Sequence, residues 1–487
     1  MKNEAKKPIK ILFASFEAEP FMKTGGLGDV AGTLPSYIAS AGFDIRVILP
    51  KLSVIPEKYR AKMEPVACFD VQLSWRRQYC GLLTMKYHGV TYYFIDNEYY
   101  FKRDGVYGEY DDGERIAFFA KAILESVLHM PDFMPDIIHC NDWHTALTPV
   151  YLREKYLGIP GFDRIKTVFT VHNLKFQGIF PGTMLGDVLG LHDCPAAGQL
   201  MYGDAVNYMQ GALRYSDRLT TVSPTYAEEI CTPYYGEGMD WLFSERKSVL
   251  SGILNGIDTK KYDPMTDKAV DFPFDADSLD VKRRNKEKLQ AELGLAVNAD
   301  IPMFTVVSRL TEQKGFDLIT YNLPEIMRRD MQLVVLGVGV PRYEEAFRWY
   351  AAANPERMAA CIVFDDFFSR RLYACGDVLL MPSRFEPCGL AQMMAMRYGS
   401  LPLVRETGGL RDSVRPYNQY TGEGTGFSFA NYNAHELMAT IDSALDVWKN
   451  HPDDWRTMQK SAMAEDFSWR ASAKKYRALY RDLLKTE

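Results

Sequence analysis

The chain has 487 residues, more than one hydrophobic core usually serves, and 47% hydrophobic with 25% charged side chains is the balance of an ordinary soluble globular protein. A formal net charge of -6 with no long basic block argues against a nucleic-acid partner, because phosphate backbones are gripped by clustered Lys and Arg. No uncharged apolar stretch is long enough to span a bilayer, the apolar run at 11–16 is too short for a secretory leader, and the eight cysteines include no C-x-x-C pair, so a cytoplasmic protein without disulfides, zinc or membrane contact is expected.

Short apolar runs recur along the chain at 9–14, 45–49, 137–140, 167–171 and 219–222, then at 303–307, 333–336, 378–381 and 401–404. Runs rich in Val, Ile and Leu without strict alternation suit strands buried on both faces of a parallel sheet. Helical patterns between them imply right-handed βαβ units. The two series flank a different stretch, 258–300, which holds an acidic Pro-containing loop and a charged helix pattern at 282–293. The fold class expected is therefore α/β, two Rossmann-like doubly wound domains facing a cleft. The domains run 1–253 and 254–465, and a C-terminal helix in 466–487 crosses back to the first. In such sheets ligands lie beyond the carboxyl ends of the strands.

The first strand leads into Lys23-Thr24-Gly25-Gly26-Leu27-Gly28-Asp29, and Val30, Leu34 and Ile38 then fall at helical spacing. Glycines at a strand-to-helix turn let backbone N–H groups approach an anion, and Lys23 adds a charge beside them. Alone, such a loop is as often a plain turn, and it is neither a P-loop nor a full dinucleotide fingerprint. Asp142 and His144 follow one strand, and His172 and Asn173 end another. A lone His is commonly a satisfied core group, but two strand ends that both present polar residues point to a ligand. His139, His144, His172 and His192 make no zinc spacing. Arg309 and Lys314 follow the strand at 303–307, where two cations form a credible diphosphate clamp or, more blandly, two solvated charges. Glu386 lies past the strand at 378–381, followed by Cys388, Gly389 and Leu390, where a carboxylate can accept sugar hydroxyls or simply favour a helix start. Asp275-Ala276-Asp277 has the spacing of a metal-binding pair, yet helix-capping acids explain it better. Gly337-x-Gly339 after a strand raises a nicotinamide-dependent oxidoreductase, without the third glycine that reading needs.

The segment 23–29 resembles the Lys-Thr-Gly-Gly-Leu motif of bacterial glycogen synthases and plant starch synthases. Further motifs follow in that family's order: Asn141-Asp142-Trp143-His144, Thr170-Val171-His172-Asn173, Leu254-Asn255-Gly256-Ile257-Asp258, Ser308-Arg309-Leu310-Thr311-Glu312-Gln313-Lys314-Gly315, Glu386-Pro387-Cys388-Gly389-Leu390 and Thr407-Gly408-Gly409-Leu410. The resemblance covers nearly the whole chain. It implies the glycosyltransferase B architecture and a retaining hexosyltransferase that moves glucose from ADP-glucose to the non-reducing end of an α-1,4-glucan, with no metal or other cofactor.

The resemblance also implies roles. Arg309 and Lys314 hold the nucleotide phosphates. Glu386, with Cys388, Gly389 and Leu390 beside it, contacts the donor glucose. Asp142, His172 and Asn255 touch the transferred sugar. Lys23, Gly25, Gly26, Asp29 and Asn173 belong to substrate binding, and Phe364 offers adenine a ring face where relatives carry Tyr. The C-terminal domain is expected to bind ADP-glucose and the N-terminal domain the glucan, and a homo-oligomer is compatible with the sequence. Departures from the family pattern are Ala391, Trp241, Val338, Val340 and Phe364, and none removes a residue needed for transfer. A transferase with another donor or acceptor, and a non-catalytic glucan binder, are the remaining alternatives.

Overall fold

The computed structural model describes residues 7–485. The described chain divides into two compact units. The first holds 7–222, 227–253 and 469–485, and the second holds 223–226 and 254–468. This differs from the expected boundaries at two places. Residues 223–226 group with the second unit, and the return crossing lies between Ser468 and Trp469 rather than at 466. Backbone pairing accounts for the later crossing: Ile257 N–H donates to the Phe467 carbonyl at 2.8 Å and Ile257 forms a parallel bridge with Ser468.

The first unit contains strands β1 (Lys10–Ala14), β2 (Asp44–Pro50), β3 (Glu64–Leu73), β4 (Arg76–Tyr87), β5 (Val90–Asp96), β6 (Ile137–Asn141), β7 (Lys166–Val171), β8 (Ile179–Pro181), β9 (Met201–Tyr202), β10 (Ala205–Asn207), β11 (Arg218–Thr221) and β12 (Leu250–Gly252). Nine of them form one sheet in the order β12-β11-β7-β6-β1-β2-β5-β4-β3, while β8, β10 and β9 make a small antiparallel ribbon. The large sheet is parallel except where β4 pairs antiparallel with β3 and β5. Its central strands are the apolar runs of the sequence; all five residues of β6 are buried. Helix Gly26–Ala39 buries Leu27, Val30, Ala31, Leu34 and Ile38, a stripe at helical spacing that faces the core.

Helix Trp469–Leu483 belongs to the same unit and buries Trp469, Ala473, Tyr476, Tyr480 and Leu483 along one face. His139 ties it to the sheet: Nδ1 lies 2.7 Å from the Tyr480 hydroxyl and Nε2 2.6 Å from Thr170 Oγ1. Burial lowers this imidazole to about 3, so it stays neutral and structural.

The second unit is a six-stranded, wholly parallel sheet of β13 (Met303–Val307), β14 (Gln332–Leu336), β15 (Met358–Cys361), β16 (Val378–Met381), β17 (Leu401–Arg405) and β18 (Phe427–Phe429). Its order is β15-β14-β13-β16-β17-β18. In both sheets the winding reverses once, between β1 and β6 in the first and between β13 and β16 in the second. Loops leave in opposite directions at such a switch point and open a crevice at the carboxyl ends. The motifs singled out in the sequence follow β1, β6 and β7, and β13, β16 and β17.

Candidate active site

In the first unit, β1 continues through Glu17 into the glycine-rich loop. Glu17 is buried, and its carboxylate accepts from Thr24 N–H at 2.5 Å, from Thr24 Oγ1 at 2.6 Å and from the Tyr107 hydroxyl. These bonds pin the loop to the strand end. A Cβ built on Gly25 or Gly26 meets no protein atom within 4 Å, so packing does not require glycine there. The missing side chains instead leave the backbone at the start of helix Gly26–Ala39 open to close approach. Lys23 Nζ lies 2.6 Å from Asp29 Oδ1 and 3.5 Å from Glu19. Burial raises the Asp29 carboxyl to about 6, and Lys23 pulls it back.

Asp142 follows β6 with φ 56° and ψ 176°, a region that side chains other than hydrogen rarely tolerate. Its carboxylate accepts the backbone N–H of His172 at 2.7 Å and that of Asn173, so the ends of β6 and β7 are stitched together. Burial pushes this carboxyl up to about 7, against the pull of the two N–H donors. Strain of this kind costs about 1–3 kcal/mol. Asp142→Gly is therefore expected to unfold at higher urea than Asp142→Ala, since both lose the carboxylate but only glycine relieves the backbone. Equal midpoints would remove the strain from the account.

His172 is oriented through Asn141. The Asn141 side-chain amide donates to the Ala14 carbonyl at 3.0 Å, which turns its Oδ1 toward His172 Nε2, also at 3.0 Å. Nε2 thus carries the proton, and Nδ1 is left as an acceptor for a sugar hydroxyl. Burial lowers His172 to about 3, so the ring is neutral across the physiological range. His144, which follows the same strand as Asp142, packs with Phe16 at 5.2 Å and Tyr107 at 4.7 Å in a three-ring cluster, a packing role. Asn173 Oδ1 accepts from Lys175 N–H at 3.1 Å and shapes the turn beyond β7.

In the second unit, Arg309 leaves the end of β13 exposed, and among the described residues no carboxylate pairs with it. Lys314 closes the 3-10 turn Glu312–Lys314, and its Nζ lies 2.5 Å from Glu386 Oε2. Glu386 is buried beyond β16 and also accepts from Ser383 Oγ at 3.2 Å. Gly409 N–H donates to the Glu386 carbonyl at 3.1 Å, and a Cβ on Gly408, at φ 44°, would lie 2.0 Å from that same oxygen. The turn after β17 therefore needs glycine to press against the Glu386 backbone.

Cys388 is buried and accepts the Asn255 N–H, and burial pushes its thiol up to about 12. A neutral thiol is a packing and contact group, not a nucleophile. Asn255 is buried too, and its Oδ1 has no hydrogen-bond partner among the described residues. Gly389 and Leu390 precede helix Ala391–Arg397, which starts at Ala391 rather than at Gly389.

Phe364, beyond β15, is 84% exposed; Val338 and Val340, beyond β14, are exposed as well. Trp241 lies under the Arg214 guanidinium at 5.1 Å. Sequence reasoning missed Glu17, Tyr107 and Ser383 as groups that orient the candidates, and it carried Asn141 only as part of a motif, without its role toward His172. Asp275 is a turn residue whose Oδ1 accepts from Ser278 N–H at 3.0 Å and Ser278 Oγ at 2.6 Å. No group of three or more His, Cys, Asp or Glu among the described residues is arranged to hold a metal ion.

Residues 10–245 match the family described as starch synthase catalytic domain, and residues 287–461 match glycosyl transferases group 1. The chain is 50% identical over 477 residues to a glycogen synthase of Clostridium novyi, covering 98% of this chain and 99% of that one. It is 49% identical over 476 residues to a glycogen synthase of Desulfitobacterium hafniense, with the same coverage. Among solved structures, the catalytic domain of starch synthase IV from Arabidopsis thaliana, bound to ADP and acarbose, superposes with a TM-score of 0.88 at 31% identity, covering 98% of this chain and all of that one. Two Rossmann-like units with these strand-end motifs, and half the residues shared over nearly the full length, establish that the chain belongs to the glycogen synthase family of glycosyltransferases.

Proposed function

We propose that the protein elongates an α-1,4-glucan, transferring glucose from ADP-glucose to the non-reducing end with retention of configuration and release of ADP. The observation that carries this reading is the cation pair at the β13–β16 switch point, with Arg309 unpaired among the described residues and Lys314 resting on Glu386. A diphosphate brings negative charge that Arg309 meets with its fork and Lys314 with a point charge. In the transfer, the bond from the glucose C1 to the diphosphate oxygen breaks, and its electron pair leaves on the phosphate. Arg309 and Lys314 stabilise that developing charge. The acceptor 4-hydroxyl oxygen bonds to C1 on the same face, and its proton passes to the departing phosphate oxygen. Glu386 and Asn255 Oδ1 accept sugar hydroxyls in the second unit, as Asp142 and His172 Nδ1 do in the first. Phe364 offers a stacking face to the adenine. The second unit is thus assigned the donor and the first the glucan.

The Gly337-x-Gly339 segment has a packing explanation, which weakens the oxidoreductase alternative. A Cβ on Gly337 would lie 1.9 Å from the Ser308 carbonyl, and one on Gly339 2.2 Å from that of Leu310. No helix among the described residues is long and apolar enough to cross a membrane. A cytoplasmic enzyme acting without metal is part of the same proposal. Released nucleotide, measured with ADP-glucose or UDP-glucose and with or without glycogen, tests it: glycogen-dependent ADP release should dominate. The rate should be unchanged in excess EDTA, since the two cations supply the charge a metal would bring. Loss under EDTA with recovery on Mg²⁺ or Mn²⁺ would overturn the metal-free part, and preferential UDP release would overturn the donor.

A further inference from the structure

Lys23, the cation of the glycine-rich loop, faces two carboxylates rather than one. Its Nζ lies 2.6 Å from Asp29 Oδ1 and 3.5 Å from Glu19 Oε2, and the two acidic side chains lie within hydrogen-bond reach of each other. Close packing against helix Gly26–Ala39 builds this arrangement. A Cβ on Gly32 would lie 2.3 Å from the Glu19 carbonyl, and one on Gly28, a turn earlier, 2.9 Å from Lys23 Cγ. Glu19 N–H also donates to the Gly28 carbonyl at 2.9 Å. Glycine at both positions lets the loop lie on the first two turns of the helix, which sets Glu19, Lys23 and Asp29 side by side. Tyr87, from β4, is a further titratable group facing Glu19, and its own hydroxyl pairs with Tyr59.

An anion drawn to the backbone N–H groups at the start of this helix has to take Lys23 from those carboxylates. Asp29 lies in the first turn, where the helix dipole favours a negative charge, so it has a local reason to be there. Glu19 lies outside the helix and has none; it adds a second negative charge that opposes the anion. A glucan carries no charge, so the anion of the proposed reaction is the diphosphate of the donor. We infer that Glu19 is a positioning residue that holds Lys23 back and thereby sets the affinity for the nucleotide-sugar donor; the inference rests on the proposed glucan-elongating function, with Lys23 serving substrate.

Steady-state kinetics on a double-mutant cycle test it. Glu19→Gln should lower KM for ADP-glucose about threefold, the size of one exposed ion pair, with turnover number and KM for glycogen unchanged. With Lys23→Ala already in place, Glu19→Gln should change nothing. The gain should also fade on acidification. Burial raises the Asp29 carboxyl to about 6, Lys23 lowers it and Glu19 raises it, so below that pH the parent pair carries one negative charge. Glu19→Gln then carries one as well, on Asp29, whose carboxyl drops once the Glu19 charge is gone. The ratio of parent to variant KM should therefore be largest well above this pH and approach one below it. An unchanged donor KM, the same drop in the Lys23→Ala background, or a ratio flat with pH would overturn the inference. If the parent transfers no glucose, the same cycle read by ADP-glucose calorimetry decides. Tighter binding through Lys23 then keeps the role of Glu19 while the catalytic reading fails, and unchanged binding overturns both.

Discussion

Arg309→Ala and Lys314→Ala should each lower the rate of glucosyl transfer by about a hundredfold or more, on the order of 3 kcal/mol for a lost stabiliser of developing charge. The two variants should differ in stability. Arg309 is exposed and has no carboxylate partner among the described residues, so its removal should leave the unfolding midpoint where it was. Lys314 lies 2.5 Å from the buried Glu386, and its removal leaves that carboxylate, among the described residues, with the Ser383 hydroxyl. Lys314→Ala should therefore lose stability as well as rate, and Lys314→Arg should restore more of the stability than of the rate, because the fork does not reproduce a point charge. Near-normal turnover in either alanine variant would remove that residue from the phosphate clamp.

The largest expected loss of stability lies away from the chemistry. Lys286 Nζ sits 2.6 Å from Asp377 Oδ2, with side-chain exposures of 1% and 7%, and also donates to the Ala299 carbonyl at 2.8 Å. The same Asp377 oxygen accepts Met303 N–H at 2.8 Å, which joins the starts of β13 and β16. Breaking a buried pair by removing one partner costs about 3–5 kcal/mol, because the other charge stays desolvated. Lys286→Met should destabilise the second unit by that amount, and the double variant Lys286→Met with Asp377→Asn should recover part of it. Trp448 reports the change directly, since the Lys286 ammonium lies 4.8 Å from its ring. A urea transition followed by tryptophan fluorescence that does not move in Lys286→Met would contradict the pairing.

These lysines also show where the sequence was opaque. Lys282 and Lys286 read as one face of a charged helix, and helix Leu279–Glu292 does form there. Both side chains are nevertheless buried: Lys282 Nζ donates to the Tyr373 and Ala374 carbonyls at 3.1 and 2.9 Å, at the end of helix Asp366–Cys375. Partners far along the chain decide that burial, and no local pattern carries it. By contrast, strands buried on both faces announce themselves as apolar runs, so β1, β2, β6 and β7, and likewise β13, β14, β16 and β17, were legible. The antiparallel β3–β5 meander was not, because β3 and β4 interleave exposed and buried residues and interrupt any run. At the candidate site, Asp142, His172, Arg309, Lys314 and Glu386 were legible because each follows an apolar run. The orienting roles of Glu17, Asn141 and Ser383 were not, since only the fold brings them within hydrogen-bond reach.

The most direct measurement is the linkage made from labelled donor. ADP-glucose labelled in the glucose, incubated with an unlabelled malto-oligosaccharide acceptor, should give a labelled chain one glucose longer. β-amylase, which cuts only α-1,4 linkages from the non-reducing end, should release all of the label as maltose. Label that resists β-amylase, or that appears as free glucose without chain extension, would contradict retaining glucan elongation.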